Sequence, residues 1–153
     1  MLSGKKLLRR MRMNIEVRMA EKRDLEIIHD ILEEIQQGDM GERAQRLSEA
    51  LDSTFSSYLV AVSEGKVVGF LNIWYLPDIV DGNYMGIVLD VYVSAQFRRR
   101  GVGEMLLSSG LEMGRKHRVN KYYGWMAPDN KAAIALLKKS GFATESLMLE
   151  KKI

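Results

Sequence analysis

The 153-residue sequence contains no cysteine and only two histidines, His29 and His117, far apart along the chain. Disulfides and thiolate-ligated metals are thereby excluded, and two isolated imidazoles do not form a His-rich metal cluster with each other. No apolar run approaches the roughly 20 residues that a bilayer-spanning helix needs. The apolar pieces near the start, such as Leu7-Leu8, are too short for the core of a secretory signal, so the cytosol is the expected compartment and no membrane partner is expected. Two nucleotide motifs are also missing. A P-loop would need Gly-x4-Gly-Lys-Ser/Thr, and a dinucleotide Gly-x-Gly-x-x-Gly would need glycine where Leu106 stands.

What is present describes one folded domain. A hydrophobic fraction of 46% and a charged fraction of 28% are ordinary for a globular chain, and 153 residues build one core rather than two. The net charge of +3 is concentrated at one end, because Lys5, Lys6, Arg9, Arg10 and Arg12 all fall within the first thirteen residues and leave the remainder net negative. Residues 1–13 therefore read as a flexible basic tail rather than a nucleic-acid contact, and residues 14–153 as a single domain.

Residues 14–19 alternate apolar and polar like a half-buried strand. Leu25, Ile28, Leu32 and Ile35 then fall on one face of a helix that should end near Gln37-Gly38, and residues 42–52 suggest a second helix. Runs 58–63 and 66–74 around Glu64-Gly65 predict a hairpin, turn formers crowd 76–86, and Ile87 to Val93 predicts a fourth strand. Val102, Met105, Leu106, Ser109 and Met113 mark one face of a helix ending in Arg115, Lys116, His117 and Arg118, cations suited to a helix C-terminus. A fifth strand fits 121–126, a helix follows Pro128-Asp129-Asn130 and closes at Ser140-Gly141, and two short strands fit 142–144 and 147–151.

Between the fourth strand and the next helix lies Arg98-Arg99-Arg100-Gly101-Val102-Gly103. A strand feeding a glycine loop and then a helix presents unpaired N–H groups at the positive end of the helix dipole, which suits a pyrophosphate. Gly101 and Gly103 allow close backbone approach, and the three arginines raise the local potential.

Arg98-x-x-Gly101-x-Gly103 resembles the Q/R-x-x-G-x-G/A motif of the GNAT superfamily of N-acetyltransferases, and Asn130-x-x-Ala133 through Gly141-Phe142 resembles its second cofactor motif. The order of elements is similar from residue 14 to residue 153. The resemblance implies a mixed α/β GNAT fold with a central, mostly antiparallel, twisted sheet of about seven strands and four helices. In it the parallel fourth and fifth strands splay around acetyl-coenzyme A, with no metal. It implies direct acetyl transfer to a primary amine of a small molecule or a protein. It further implies that Val91, Tyr92 and Val93 hold the pantetheine arm through their backbone, that Arg98, Arg99, Arg100, Gly101, Val102, Gly103 and Glu104 hold the pyrophosphate, and that Asn130 and Ala133 contact the cofactor from the next helix. A backbone N–H near Val91 would stabilise the oxyanion. A homodimer is left open.

The attacking amine must be neutral, so a proton acceptor is needed. Asp90, on the fourth strand, is the candidate, either as the base or as the group that holds the substrate cation. Trp74, Tyr75 and Tyr84 are weaker candidates for substrate contact, while His29 is expected to face solvent and neither histidine is assigned a role. One residue departs from the family pattern. Leu137 stands where many members carry a tyrosine that protonates the leaving thiolate; Tyr122, Tyr123 or water would have to substitute, or the protein binds acyl-coenzyme A without turning it over.

Overall fold

In the computed structural model, which describes residues 14–153, the order of elements is β1 (Ile15–Met19), α1 (Leu25–Glu33), α2 (Met40–Asp52), β2 (Ser56–Ser63), β3 (Lys66–Asp78), β4 (Asn83–Val93), α3 (Val102–Lys116), β5 (Val119–Gly124) and α4 (Lys131–Lys139). The basic tail lies outside the described residues. One sheet runs β1-β2-β3-β4-β5, antiparallel throughout except for the parallel β4/β5 pair.

The central strands β2 and β3 read as almost unbroken apolar runs because both faces are covered. On one face α3 sets Val102, Leu106 and Leu107 against Leu59, Leu71 and Ile73. On the other, α1 and α2 set Ile28, Ile31, Leu47 and Ala50 against Tyr58, Val60 and Phe70. Gly110 on α3 is required for that first contact, since a Cβ there would run into Leu71 and Ile73.

Two β-bulges set the register. Val62 pairs with Val67 but Ala61 with Gly69, so Val68 is the extra residue in β3. Asn72 pairs with Asp90 but Ile73 with Val88, so Leu89 is the extra residue in β4. Each bulge shifts the partner strand by one residue and re-aims the side chains beyond it.

Three expectations from the sequence change. The sheet has five strands among the described residues, not about seven: 142–144 and 147–151 form none. Phe142 is drawn back to α4 by its N–H bond to the Leu137 carbonyl (3.0 Å), and Leu147 and Leu149 are each 85% exposed. A β-prone run forms a strand only when a neighbour takes up its backbone groups. Helix α1 stops at Glu33 instead of reaching Gln37: the Ile35 N–H bonds the Leu32 carbonyl only three residues back (2.9 Å), a tightened last turn that breaks the four-residue ladder. The segment 76–86 is mostly strand, with the turn reduced to 79–82 around Asp78, whose carboxylate accepts from the N–H groups of Val80 and Asp81.

An ion pair joins β1 to the start of α1. Arg18 donates twice to the buried Asp24 carboxylate (2.7 and 2.8 Å), which also accepts from the Glu21 N–H (2.8 Å). The Arg18 hydrogen bonds hold the Asp24 carboxyl below its ordinary range against the opposing effect of burial. A depressed folded-state value means that this stabilisation is present at neutral pH and is lost as pH falls through the acid range. Asp24→Ala should therefore cost about 3 kcal/mol at pH 7, the gap to the parent narrowing below about pH 4, as read by urea denaturation at several pH values.

Candidate functional site

Strands β4 and β5 pair only as far as Val88 and Gly124; the last contact is the Trp125 N–H to the Val88 carbonyl (3.1 Å). The β4 bulge begins at the next residue, Leu89. From there to Val93 the edge of β4 that faced β5 has no strand partner among the described residues. Ser94 donates its N–H to Val68 on β3 (2.9 Å), so by alternation the backbone groups of Val93 and Val91 point to the open edge. The Val93 carbonyl accepts from Arg98 Nε (2.9 Å), in keeping with that direction.

On the α1/α2 face of the same strands the two bulges align Tyr58, Asn72 and Asp90 in one row, each opposite the next across β2, β3 and β4. This row floors a cavity of about 520 Å³. Leu25, Ile28 and Leu32 of α1 and Leu47 and Ala50 of α2 form its apolar walls, and Trp74 lies beside the row. His29, Glu42, Arg43 and Arg46 complete the lining. Arg43 spans both helices, donating to Glu33 (2.6 Å), to the Gln36 carbonyl (2.6 Å) and to His29 Nδ1 (3.2 Å). His29 is thus turned inward, contrary to the solvent-facing position expected from the helical pattern.

Asp90 opens onto the cavity, and Asn72 Nδ2 donates to its Oδ2 (3.4 Å). Although water reaches the carboxyl through the cleft, the dense protein on its other sides raises its pKa by desolvation, and the Asn72 bond opposes that shift. Burial, reinforced by the Asp90 charge, also pushes the Tyr58 phenol up, so it stays neutral. Its hydroxyl has no partner among the described residues.

At the far end of β4, Arg99 and Gly101 adopt left-handed backbone conformations (φ 58° and 81°), and α3 starts at Val102. The first intrahelical bond there is Met105 N–H to the Gly101 carbonyl (3.0 Å), which leaves the N–H groups of Val102, Gly103 and Glu104 without a helical acceptor. A Cβ at Gly101 would meet no neighbour, so glycine serves backbone angle and open space rather than packing. The Arg98 guanidinium turns back to donate to the Tyr92 hydroxyl (2.7 Å), which in turn donates to Glu34 just past α1 (3.0 Å). Arg100 lies over the Phe97 ring at 6.0 Å.

Other residues singled out from the sequence fall elsewhere. Of the aromatic candidates only Trp74 lines the cavity. Tyr75 is wholly buried in the α3-side core, with its hydroxyl on Ser57 (2.8 Å) and its ring stacked on His117 (4.1 Å), because alternation turns it away from Trp74. Tyr84 packs on the same side, near Phe55. The Asn130 side chain caps α4 by accepting from the Ala133 N–H (3.2 Å), and Ala133 is itself buried. Leu137 belongs to the α3-side core. The Tyr122 hydroxyl is committed to the Leu111 carbonyl (3.0 Å), its pKa pushed up to about 12 by burial, which removes it as a substitute acid. Tyr58, Asn72 and His29 carried no signal in the sequence, since their convergence depends on strand register and helix placement.

The model of the acetyltransferase (GNAT) family matches residues 25–142. The chain belongs to that family. Among solved structures, it is similar to a transcriptional regulator from Bacillus halodurans C-125 (TM-score 0.83, 16% identity, covering 91% of this chain and 99% of the other). It is similar to a ribosomal-protein-alanine N-acetyltransferase from Brucella melitensis biovar Abortus 2308 (0.78, 19%, 91% and 99%). It also resembles an aminoglycoside N-acetyltransferase in complex with CoA (0.81, 20%, 92% and 95%). At these identities the likeness is one of fold. No curated protein matches the chain significantly. GNAT enzymes use acetyl-coenzyme A, and the described residues include no group of three or more His, Asp or Glu able to hold a metal ion.

A raised folded-state pKa means that Asp90 favours the native state only while protonated, a contribution lost as pH rises through its folded value. Asp90→Asn should accordingly melt at a higher temperature than the parent at pH 8, with the difference shrinking as pH falls into the acid range. A variant that melts lower at pH 8 would contradict the desolvation of this carboxyl.

Proposed function

We propose that this GNAT protein transfers the acetyl group of acetyl-coenzyme A directly to a primary amine bound in the cavity between α1, α2 and the sheet. The observation that carries the reading is the β4 bulge. At one place it ends the β4/β5 pairing, frees the edge that includes Val91 and Val93, and turns Asp90 into the cavity. The pantetheine arm lies along that free edge, at Val91 to Val93, and the pyrophosphate at the N-terminus of α3. There the N–H groups of Val102, Gly103 and Glu104 suit an anion, with Arg98, Arg99 and Arg100 adding positive potential. Arg98 must release the Val93 carbonyl if pantetheine is to use it.

Asp90 takes a proton from the substrate ammonium, directly or through a water. The neutral nitrogen attacks the thioester carbonyl carbon, the C–N bond forms, and the Val91 N–H receives the developing oxyanion. The C–S bond then breaks, and the nitrogen releases its second proton to water. With Leu137 buried and Tyr122 engaged, neither supplies the acid; the thiolate is protonated from water or by Tyr123, and a parent thiol pKa near ~8.5 permits its departure. The proton on Asp90 returns to solvent, so the products are the amide, coenzyme A and one proton. Leu137 equally favours a second reading, an acyl-coenzyme A-binding module without efficient turnover.

A thermal-shift titration and thiol release separate the two readings. Acetyl-coenzyme A should raise Tm by mass action, and amines should then release free thiol; a shift with no thiol across amine and peptide panels supports the module, and no shift defeats both. Gly101→Val should weaken coenzyme A binding, because a β-branched residue resists a φ of 81° and would crowd the open loop. Asp90→Asn should lower kcat/KM at neutral pH by about 10²-fold or more. In the parent, activity should rise with pH through the raised Asp90 value, a limb the variant lacks. Rates within about twofold of the parent would remove Asp90 from the base role.

A further inference from the structure

The row on the cavity floor holds a second group suited to the acceptor, and the inference that follows rests on the acetyl-transfer reading. The geometry points to the Tyr58 hydroxyl as the partner of Asp90 in holding the acceptor nitrogen: the phenol oxygen accepts one N–H of the amine while Asp90 takes its proton. Tyr58, Asn72 and Asp90 stand opposite one another on β2, β3 and β4, and all three line the cavity. The backbones of Tyr58 and Asp90 are two strand spacings apart, about 10 Å. An amine nitrogen seated over Asn72 bridges that gap.

The floor offers the nitrogen few acceptors. Asn72 does not serve, because its Oδ1 is sealed from solvent and its Nδ2 is a donor engaged with Asp90 (3.4 Å). Trp74 brings an indole N–H, which only donates. The Tyr58 hydroxyl differs from both. It has no partner among the described residues, yet the unpartnered side-chain oxygens closed to solvent there are Ser56 Oγ and Asn72 Oδ1, so the hydroxyl keeps open surface on the cavity that Tyr58 lines. Once Asp90 has taken a proton the nitrogen still carries N–H donors, and the phenol oxygen is the side-chain acceptor left for them. The ring is held in place, stacked on Phe70 (5.8 Å between centroids) and packed in the same core as Ile28, Ile31 and Leu47. Burial keeps the phenol neutral, so its O–H bond stays intact through the reaction. Positive charge builds on the nitrogen as it attacks the carbonyl, which strengthens the N–H to oxygen bond and makes the contact count in rate as well as in binding.

The test is Tyr58→Phe in the full chain, which keeps the ring and removes only the hydroxyl. Acceptors are 2-phenylethylamine, spermidine, kanamycin and a short peptide with N-terminal alanine, and the one that releases thiol fastest from acetyl-coenzyme A serves for kinetics. The variant should lose at least about tenfold in kcat/KM, the worth of a hydrogen bond to a charged group. It should melt no lower than the parent, because the hydroxyl has no partner to lose, and show the same acetyl-coenzyme A thermal shift. The pH limb set by Asp90 should stay in place, since Asp90 takes its side-chain hydrogen bond from Asn72. A loss below about threefold overturns the proposal. So does a loss of activity matched by a fall in Tm, which marks a structural hydroxyl, or a displaced limb with an unchanged plateau, which marks an action on Asp90 rather than on the acceptor. Absence of thiol release from every acceptor overturns acetyl transfer instead. Saturation-transfer NMR of the same amines on the coenzyme A complex then decides the role of Tyr58: binding weakened about fivefold in the variant upholds the contact, and equal binding, or none to either protein, sinks it.

Discussion

The structure depends most on the demand that backbone N–H and C=O groups find partners. Strand β4 meets it on one edge along its length through β3, but on the other only as far as Val88, where β5 departs. A strand in the middle of a sheet that loses a neighbour partway is left with donors and acceptors that water or a ligand must satisfy. In this chain the Val93 carbonyl is taken up by Arg98. An extended molecule bearing amides is the natural occupant of such an edge, for the same reason that a peptide adds to an exposed strand.

The contacts around that edge join the two halves of the site. Arg98 leans on Tyr92, and Tyr92 on Glu34 beyond the end of α1, so the glycine loop and the α1/α2 side of the cavity share one hydrogen-bonded chain. The Arg18–Asp24 pair holds the other end of α1 to β1, and Arg43 ties α1 to α2. The cavity walls are thus placed by polar ties at their ends and by Ile28, Ile31, Leu47 and Ala50 along their lengths. At Asp90 the sheet holds a carboxyl partly desolvated, which raises its pKa and disfavours its charged form.

Much of the fold was legible because it follows from local chemistry. The 3.6-residue periodicity of α1 and α3, the Glu64-Gly65 turn, the Asn130 cap and the glycine loop are each written within a few residues, and the structure places helices, hairpin and loop close to where those signals lie. The two C-terminal strands were misread for the opposite reason. Residues 142–144 and 147–151 have strand-like composition, yet pairing requires a neighbour, and none takes them up among the described residues. Tyr75 was misjudged beside Trp74 because adjacent strand residues face opposite sides, and which side holds the cavity depends on where α1 and α2 pack.

By itself the sequence determined the glycine loop, since Gly101 and the start of α3 are consecutive and their geometry follows from backbone sterics and helix initiation. It also determined the helical and strand periods that make a sheet covered on both faces. Only the tertiary structure decided what stands beside Asp90. Counting back from the Glu64-Gly65 turn without a bulge would set Tyr58 opposite Leu71; the extra Val68 brings Asn72 there instead, and the extra Leu89 lets Asp90 complete the row. A single inserted residue exchanges the faces of a strand, and whether it is inserted depends on the packing of the whole sheet, not on the residues next to it.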